Sequence, residues 1–214
     1  MITSLLRQAF FWLVVRPFLL LVVGLNVRHR ERLPSSGPAI VVANHNSHLD
    51  TMALMAILPP RLLRITRPVA AADYFLANRV RSWFARNIIG ILPIERGGRA
   101  PGADPLADVS AALDRGEIVI VFPEGSRGEP EEMAVFKKGV AHLAKKHPEV
   151  PVVPVFMHGL GKSLPKDDWL PVPFFVDVFV GDSLYGIEDH TAFTEQMAER
   201  IQSLASEGSF PSWA

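Results

Sequence analysis

Apolar residues fall along this chain in short blocks, each closed by a polar or Gly/Pro-rich stretch. The run Ala39-Ile40-Val41-Val42-Ala43 predicts a short buried strand. From Thr51 the apolar residues Met52, Leu54, Met55, Ile57 and Leu58 predict a helix that starts near Asn46 to Asp50 and stops at Pro59-Pro60. Further strands are expected at residues 62–70, 90–94, 118–122, 150–156 and 174–180, and helices at 74–87, 106–115, 136–147 and 193–205. Strands separated by helices predict an α/β fold with a mostly parallel central sheet flanked by helices. No internal repeat or low-complexity tract interrupts the pattern.

The first block, residues 5–27, is different. It is almost continuously apolar, but Arg16-Pro17 divides it into runs of 7 residues (Ala9–Val15) and 9 residues (Pro17–Leu25). A bilayer span needs about 20 apolar residues, and a central Arg costs about 2.5 kcal/mol or more. Pro17 is expected to kink or break a helix. Two short helices lying in the membrane interface are therefore expected, with Trp12 at headgroup level and Arg28, Arg30 and Arg32 as a basic anchor. A tilted span, a buried core helix and a cleaved leader are the alternatives. This divides the chain into an N-terminal membrane-associating segment, residues 1–30, and an α/β domain, residues 31–214.

Composition sharpens that picture. Hydrophobic residues make up 49% of the 214 residues and mean hydropathy is +0.20, oily for a soluble domain. There is no Cys, which excludes disulfides and thiolate metal sites. The net charge of zero hides an asymmetry. Residues 1–100 carry 13 Arg, no Lys and 4 acids, whereas residues 101–214 carry 9 basic residues and 18 acids. A basic front half beginning with an apolar segment points to an anionic membrane surface or a phosphorylated ligand. No nucleic-acid-binding motif is visible, and no nucleic-acid partner is expected.

Candidate chemistry gathers where apolar runs end. In Asn44-His45-Asn46-Ser47-His48-Leu49-Asp50 a histidine is followed five residues later by a carboxylate. Histidine takes a proton near neutral pH, and a carboxylate about one turn away can bond the other ring nitrogen and hold the tautomer. With no Cys and no Gly-x-Ser-x-Gly elbow, that base would activate a hydroxyl brought by the substrate. Asp, Asn and Ser are also ordinary helix caps, so this spacing alone is weak. Two other clusters follow strands, Glu95-Arg96 and Pro123-Glu124-Gly125-Ser126-Arg127. A parallel sheet can gather such ends on one edge, bringing His45, Asp50, Arg96, Glu124 and Arg127 together. Arginine forks suit phosphate, and Gly125 allows close backbone approach with amides aimed at a ligand or an oxyanion. Lys137 and Lys138, at a predicted helix start where the dipole disfavours cations, are better placed for a ligand than for stability. Gly159-Leu160-Gly161-Lys162-Ser163 is not a phosphate loop, because Phe156 stands where the first glycine is required. His48, His142, His147, His158 and His190 show no metal-ligand spacing with nearby acids; His48 is placed near the pocket and the other four are structural or on the surface.

Taken together, these clusters resemble the glycerophospholipid acyltransferase family, in particular the bacterial lysophosphatidate acyltransferases. Four blocks stand in order: Asn44 to Asp50, Gly90-Ile91-Leu92-Pro93-Ile94-Glu95-Arg96, Phe122 to Arg127, and Val152-Val153-Pro154-Val155. Phe136-Lys137-Lys138-Gly139 resembles the segment after the third. The resemblance implies that His45 is the general base and that Asp50 orients it. It also implies that Arg96 holds the acceptor phosphate with help from Arg127 and Lys137, and that Glu124, Gly125 and Ser126 shape the acceptor site. The acyl donor would be acyl-CoA or acyl carrier protein and the acceptor a lysophospholipid at a membrane lipid surface. Phosphatidate would form on the cytoplasmic face of the cell membrane, without a metal or bound cofactor. One segment departs from the family pattern. Relatives that carry a basic residue in a segment resembling Ala-Lys-Lys-Glu-Leu are matched here by Ala70-Ala71-Ala72-Asp73-Tyr74, so that a phosphate contact is either missing or supplied by Arg67 or Arg79. Another lysolipid acceptor and a non-catalytic lipid-binding relative are the alternatives to lysophosphatidate acylation.

Overall fold

The computed structural model of the protein describes residues 2–75, 78–95, 104–126, 133–164, 172–186, 189–208 and 210. Seven strands form its sheet: β1 (Leu25–Arg28), β2 (Ala39–Ala43), β3 (Thr66–Ala71), β4 (Leu92–Ile94), β5 (Ile118–Val121), β6 (Val152–His158) and β7 (Val176–Val180). Their order is β1-β7-β6-β2-β5-β3-β4, and every pairing is parallel except β6 with β7. The sheet is thus mostly parallel, as expected. The strand before the His45 cluster is its central one.

Alternation along the strands feeds two apolar layers. Ala39, Val41 and Ala43 join Ile118, Ile120, Val153 and Val155 on one face, packed against the N-terminal helix, the helix Leu49–Ile57 and the stretch Ala85–Ile89. Ile40, Val42, Val119 and Val152 face the other way, toward the helices Ala107–Asp114, Gly139–Lys146 and His190–Ser206. Parallel strands covered on both faces must be apolar throughout, which is why β2 shows no polar residue.

The N-terminal segment differs from the expected pair of short helices. Thr3–Val23 is one continuous helix. Phe11–Val15 and Leu19–Val23 are wound as wider π turns. The Arg16 N–H donates to Phe11 O, widening the turn ahead of Pro17 and making room for its ring. Arg7, Phe11, Val15, Leu19 and Val23, four residues apart, are all buried. On a regular helix a spacing of four drifts by about 40° per step; the π turns reduce that drift and keep the stripe on the domain. Arg16 is accommodated because it donates to Ala56 O (2.9 Å) and Leu58 O (3.1 Å), while Arg30 donates to Ile57 O (3.2 Å). These carbonyls end the helix Leu49–Ile57 and lack partners within it. The opposite face leaves Leu5, Leu6, Trp12, Leu13, Val14, Leu20 and Leu21 exposed.

Gly24, at φ 68°, ends this helix and turns the chain into β1, a strand the hydrophobic run concealed. Of the expected basic anchor, Arg32 pairs with Asp182 (3.1 Å) and Arg28 lies over the Phe179 ring (5.0 Å). With Arg30 on Ile57 O, all three arginines are tied to the domain.

Candidate active site

β2 ends at Ala43, and the next residue extends the sheet by other means. The Asn44 side chain donates to Met157 O and accepts from Met157 N–H, both at 2.8 Å, so its amide replaces a backbone pairing with β6. This anchors the base of the loop before the helix Leu49–Ile57 begins.

His45 and Asp50 meet as their spacing predicts. His45 Nδ1 lies 2.8 Å from Asp50 Oδ2, with 19% of the histidine side chain and 2% of the aspartate side chain exposed. Asp50 Oδ2 also accepts the N–H groups of Asn46 (2.7 Å) and Ser47 (2.8 Å). An oxygen already receiving two donors acts toward the ring as an acceptor. The ring proton therefore sits on Nδ1, and Nε2 keeps its lone pair. The imidazole stacks on Phe122, with centroids 4.0 Å apart and planes at 17°, which fixes the ring plane as the carboxylate fixes its edge. The Ser47 hydroxyl donates to Leu164 O (2.9 Å), tying the loop to the segment after β6.

The loop after β5 closes the site from the neighbouring strand. Buried Glu124 accepts the His45 backbone N–H at 3.0 Å and the Ala134 N–H at 3.3 Å. Burial raises its pKa above the usual carboxylate range, and nearby Asp50 adds to the rise, while the two backbone donors and His45 oppose it. Gly125 adopts φ 75°, and a Cβ there would lie 2.5 Å from Lys137 Nζ. The lysine chain thus lies over a residue that only glycine fits. The Gly125 N–H, expected to be available to a ligand, donates to Phe122 O (3.1 Å). The Lys137 N–H donates to Pro123 O (2.9 Å), and Ser126 is exposed beside them.

His45, Asp50, Glu124, Gly125 and Lys137 are therefore brought together, with Ser126 adjoining. Arg96 and Arg127 lie outside the described residues. Lys138 turns away and donates to Thr191 Oγ1 (2.8 Å). Arg67 is no substitute phosphate contact, because it is tied to Glu117 (2.8 Å) at the start of β3, the opposite end of the sheet from His45. Arg79 is exposed on the helix Arg79–Phe84. Two contributors escaped the sequence reading, Asn44 as a sheet extension and Phe122 as the platform under the ring. An aromatic at the end of the strand before Pro123-Glu124 was the available signal for the second. Among the described residues no group of three or more His, Asp or Glu gathers as a metal site.

Comparison with known proteins places these features in a family. The human 1-acyl-sn-glycerol-3-phosphate acyltransferase alpha is 33% identical over 138 residues, covering 63% of this chain and 46% of that protein. The chloroplastic 1-acyl-sn-glycerol-3-phosphate acyltransferase LPAT1 of Arabidopsis thaliana is 32% identical over 142 residues, covering 66% of this chain and 38% of that protein. The match thus spans less than half the length of these relatives. In fold, the chain is similar to the crystal structure of the 1-acyl-sn-glycerophosphate (LPA) acyltransferase PlsC from Thermotoga maritima. The TM-score is 0.77 at 23% identity, over 98% of this chain and 81% of that one. The model of the family described as Acyltransferase matches residues 24–158, the stretch from the end of the N-terminal helix through β6 that carries His45, Asp50 and Glu124. The chain belongs to the acyltransferase family.

Proposed function

We propose that the protein transfers a fatty acyl group from an acyl-CoA or acyl carrier protein thioester to the free hydroxyl of lysophosphatidate, giving phosphatidate. The observation that carries this reading is the His45–Asp50 pair, with the ring proton held at Nδ1 and a basic Nε2 on a partly exposed side chain. His45 Nε2 takes the proton of the acceptor hydroxyl as its oxygen attacks the thioester carbonyl carbon. Asp50 orients the ring and stabilises the imidazolium that forms. The tetrahedral oxyanion collapses with cleavage of the C–S bond, and the proton on Nε2 passes to the departing thiolate. Ester and thiol leave, and His45 returns to its starting state.

Glu124 acts one step back, holding the His45 backbone. Arg96 is assigned to the acceptor phosphate, with Arg127 and Lys137 as further contacts, and Gly125 and Ser126 shape the acceptor site. The relatives named 1-acyl-sn-glycerol-3-phosphate acyltransferases support this choice of acceptor. The position of Arg67 at the far end of the sheet supports a second reading, transfer to another lysolipid with a different headgroup.

The substrates are lipids, and the exposed apolar residues supply a route to them. Leu5, Leu6, Trp12, Leu13, Leu20 and Leu21 line the outer side of the N-terminal helix, and Val80, Trp83 and Phe84 extend that surface. Phe10 and Phe84 join the two helices edge to face at 5.2 Å. This surface lies in the interface of the cell membrane on its cytoplasmic side, with the docked face of the helix held by the domain.

The test offers labelled acyl-CoA or acyl carrier protein to purified protein in detergent, with lysophosphatidate and a panel of other lysolipids as acceptors. Labelled phosphatidate, lost in His45→Ala, is the expected result. Transfer only to another lysolipid selects the second reading, and no transfer to any acceptor overturns both. If Arg96→Ala leaves the acceptor KM and the transfer rate unchanged, the phosphate assignment fails.

A further inference from the structure

Arginines concentrate at the end of the sheet opposite His45. A cleft of about 170 Å³ is lined by Thr3, Ser4, Arg7, Arg64, Arg67 and Asn87. Thr66 lies in line with Ile118 and Ala39, at the starts of their strands. His45 follows the far end of β2, so the cleft and the candidate active site are separated by at least the strand length, about 13 Å.

Among the described residues the cleft holds more positive charge than is neutralised. Arg7 is 6% exposed, yet its bonds go to carbonyls: Ile88 O (2.9 Å), Leu63 O (2.8 Å) and Thr66 O (3.4 Å). Burial and neighbouring Arg67 lower its pKa to about 10, so it remains charged at neutral pH. Arg67 bonds Glu117 (2.8 Å), but that carboxylate is shared with Arg115 (3.0 Å). Arg64 is exposed at the rim and forms no ion pair among the described residues. Three guanidinium groups, those of Arg7, Arg64 and Arg67, thus line the cleft, and Glu117, the carboxylate paired with Arg67, is divided with Arg115. Like charges gathered around a concave polar surface of hydroxyls and an amide favour an anion, and guanidinium forks match phosphate oxygens.

We propose that this cleft is a phosphate-binding site separate from the His45 pocket, filled by the phosphate of an anionic lipid headgroup. The lipid source rests on the membrane surface proposed above: Leu5, Leu6, Val80, Trp83 and Phe84 are exposed on the two helices that supply Thr3, Ser4 and Asn87 to the cleft. A headgroup bound there would hold the far end of the sheet to the lipid surface, leaving the His45 pocket to the acceptor.

The first arm of the test titrates inorganic phosphate into detergent-solubilised protein at constant ionic strength and follows thermal unfolding. Phosphate is expected to raise Tm of the unmodified chain, to have no effect on Arg64→Glu, and to raise Tm of Arg79→Glu, which changes an exposed arginine outside the cleft. The second arm measures binding to phosphatidylcholine vesicles with and without phosphatidylglycerol. A preference of about fivefold or more for the anionic vesicles, lost in Arg64→Glu, identifies the lipid source. Phosphate stabilisation without a vesicle preference keeps the site and assigns it to a soluble phosphate. A Tm rise that persists in Arg64→Glu, or no rise in the unmodified chain, overturns the site. Acyl transfer in detergent is expected to be unchanged by Arg64→Glu, so failure here is distinguishable from failure of the proposed function.

Discussion

Ser110, His147 and Asp114 contain every group of a serine-based catalytic triad, whereas the His45–Asp50 pair lacks a hydroxyl of its own. Ser110 Oγ is 2.7 Å from His147 Nε2, and His147 Nδ1 is 3.6 Å from Asp114 Oδ1. The difference lies in what surrounds the groups. Asp50 is buried and its Oδ2 is held by two backbone amides as well as the ring, at 2.8 Å. The Asp114 side chain is 67% exposed and beyond hydrogen-bond range. Ser110 is 2% exposed on the inner side of the helix Ala107–Asp114, shielded from solvent. The Ser110–His147 bond instead joins that helix to the end of the helix Gly139–Lys146. The His45–Asp50 pair thus has the fixed carboxylate and the accessible nitrogen that a general base needs, and the fuller set of residue types around Ser110 does not supply them.

That comparison breaks most directly at His45. His45→Ala is expected to lower the transfer rate about 10³-fold with the circular dichroism spectrum unchanged, because it removes the base that Asp50 orients. A rate within a few-fold of the unmodified chain would remove the pair from the chemistry. Asp50→Asn is expected to cost a similar factor, since an amide no longer holds the Nδ1 proton as a carboxylate does. It also presents Asn46 and Ser47 with a weaker acceptor, so stability should fall by about 1–3 kcal/mol in urea melts.

Glu124→Gln is a smaller change to the same loop. The rate is expected to fall about tenfold, through displacement of the His45 backbone by an amide that accepts at only one of its two ends. The pH dependence has a definite sign. Because burial raises the Glu124 pKa in the folded protein, its contribution to stability is fully present below the unfolded carboxylate value and is lost as pH rises through the folded value. Glu124→Gln should remove that loss, which unfolding at a series of pH values measures. A pH dependence identical to the unmodified chain would mean that Glu124 does not titrate in that window.

The smallest effect is expected at the other histidine. Ser110→Ala should cost about 1 kcal/mol of stability, through the lost bond to His147, and leave the transfer rate within a factor of two. If Ser110→Ala reduced transfer as far as His45→Ala, the distinction drawn from burial would be wrong.

The contrast also explains what was legible in the chain. The α/β order, the central strand before His45 and the His45–Asp50 spacing all rest on local patterns, an apolar run followed by a cap sequence and an amphipathic helix. β1 was hidden because Leu25 and Val27 continue an apolar run, although Gly24 marks the end of the helix. Arg16-Pro17 signalled a break that did not occur, because a π turn and the carbonyls at the end of a distant helix accommodate both residues. Arg67 was a candidate for the acceptor phosphate until the sheet placed it at the end opposite His45, and the Gly125 amide was a candidate for a ligand until its partner, Phe122 O, came into view.

The sequence by itself determined the periodicities, and with them the elements from β2 onward in their alternating order, the apolar layers and the candidate base with its carboxylate five residues on. Such signals act within one turn or one strand, so residue spacing carries them. Only the tertiary structure decided what each charge meets: for Arg7 the carbonyls of Leu63, Thr66 and Ile88, for Glu124 the His45 backbone, and for Arg67 Glu117 at the end of the sheet opposite His45. Those partners lie between 50 and 81 residues away along the chain. The spatial closeness of groups so far apart depends on strand order, a property of the whole sheet and of no single stretch of sequence.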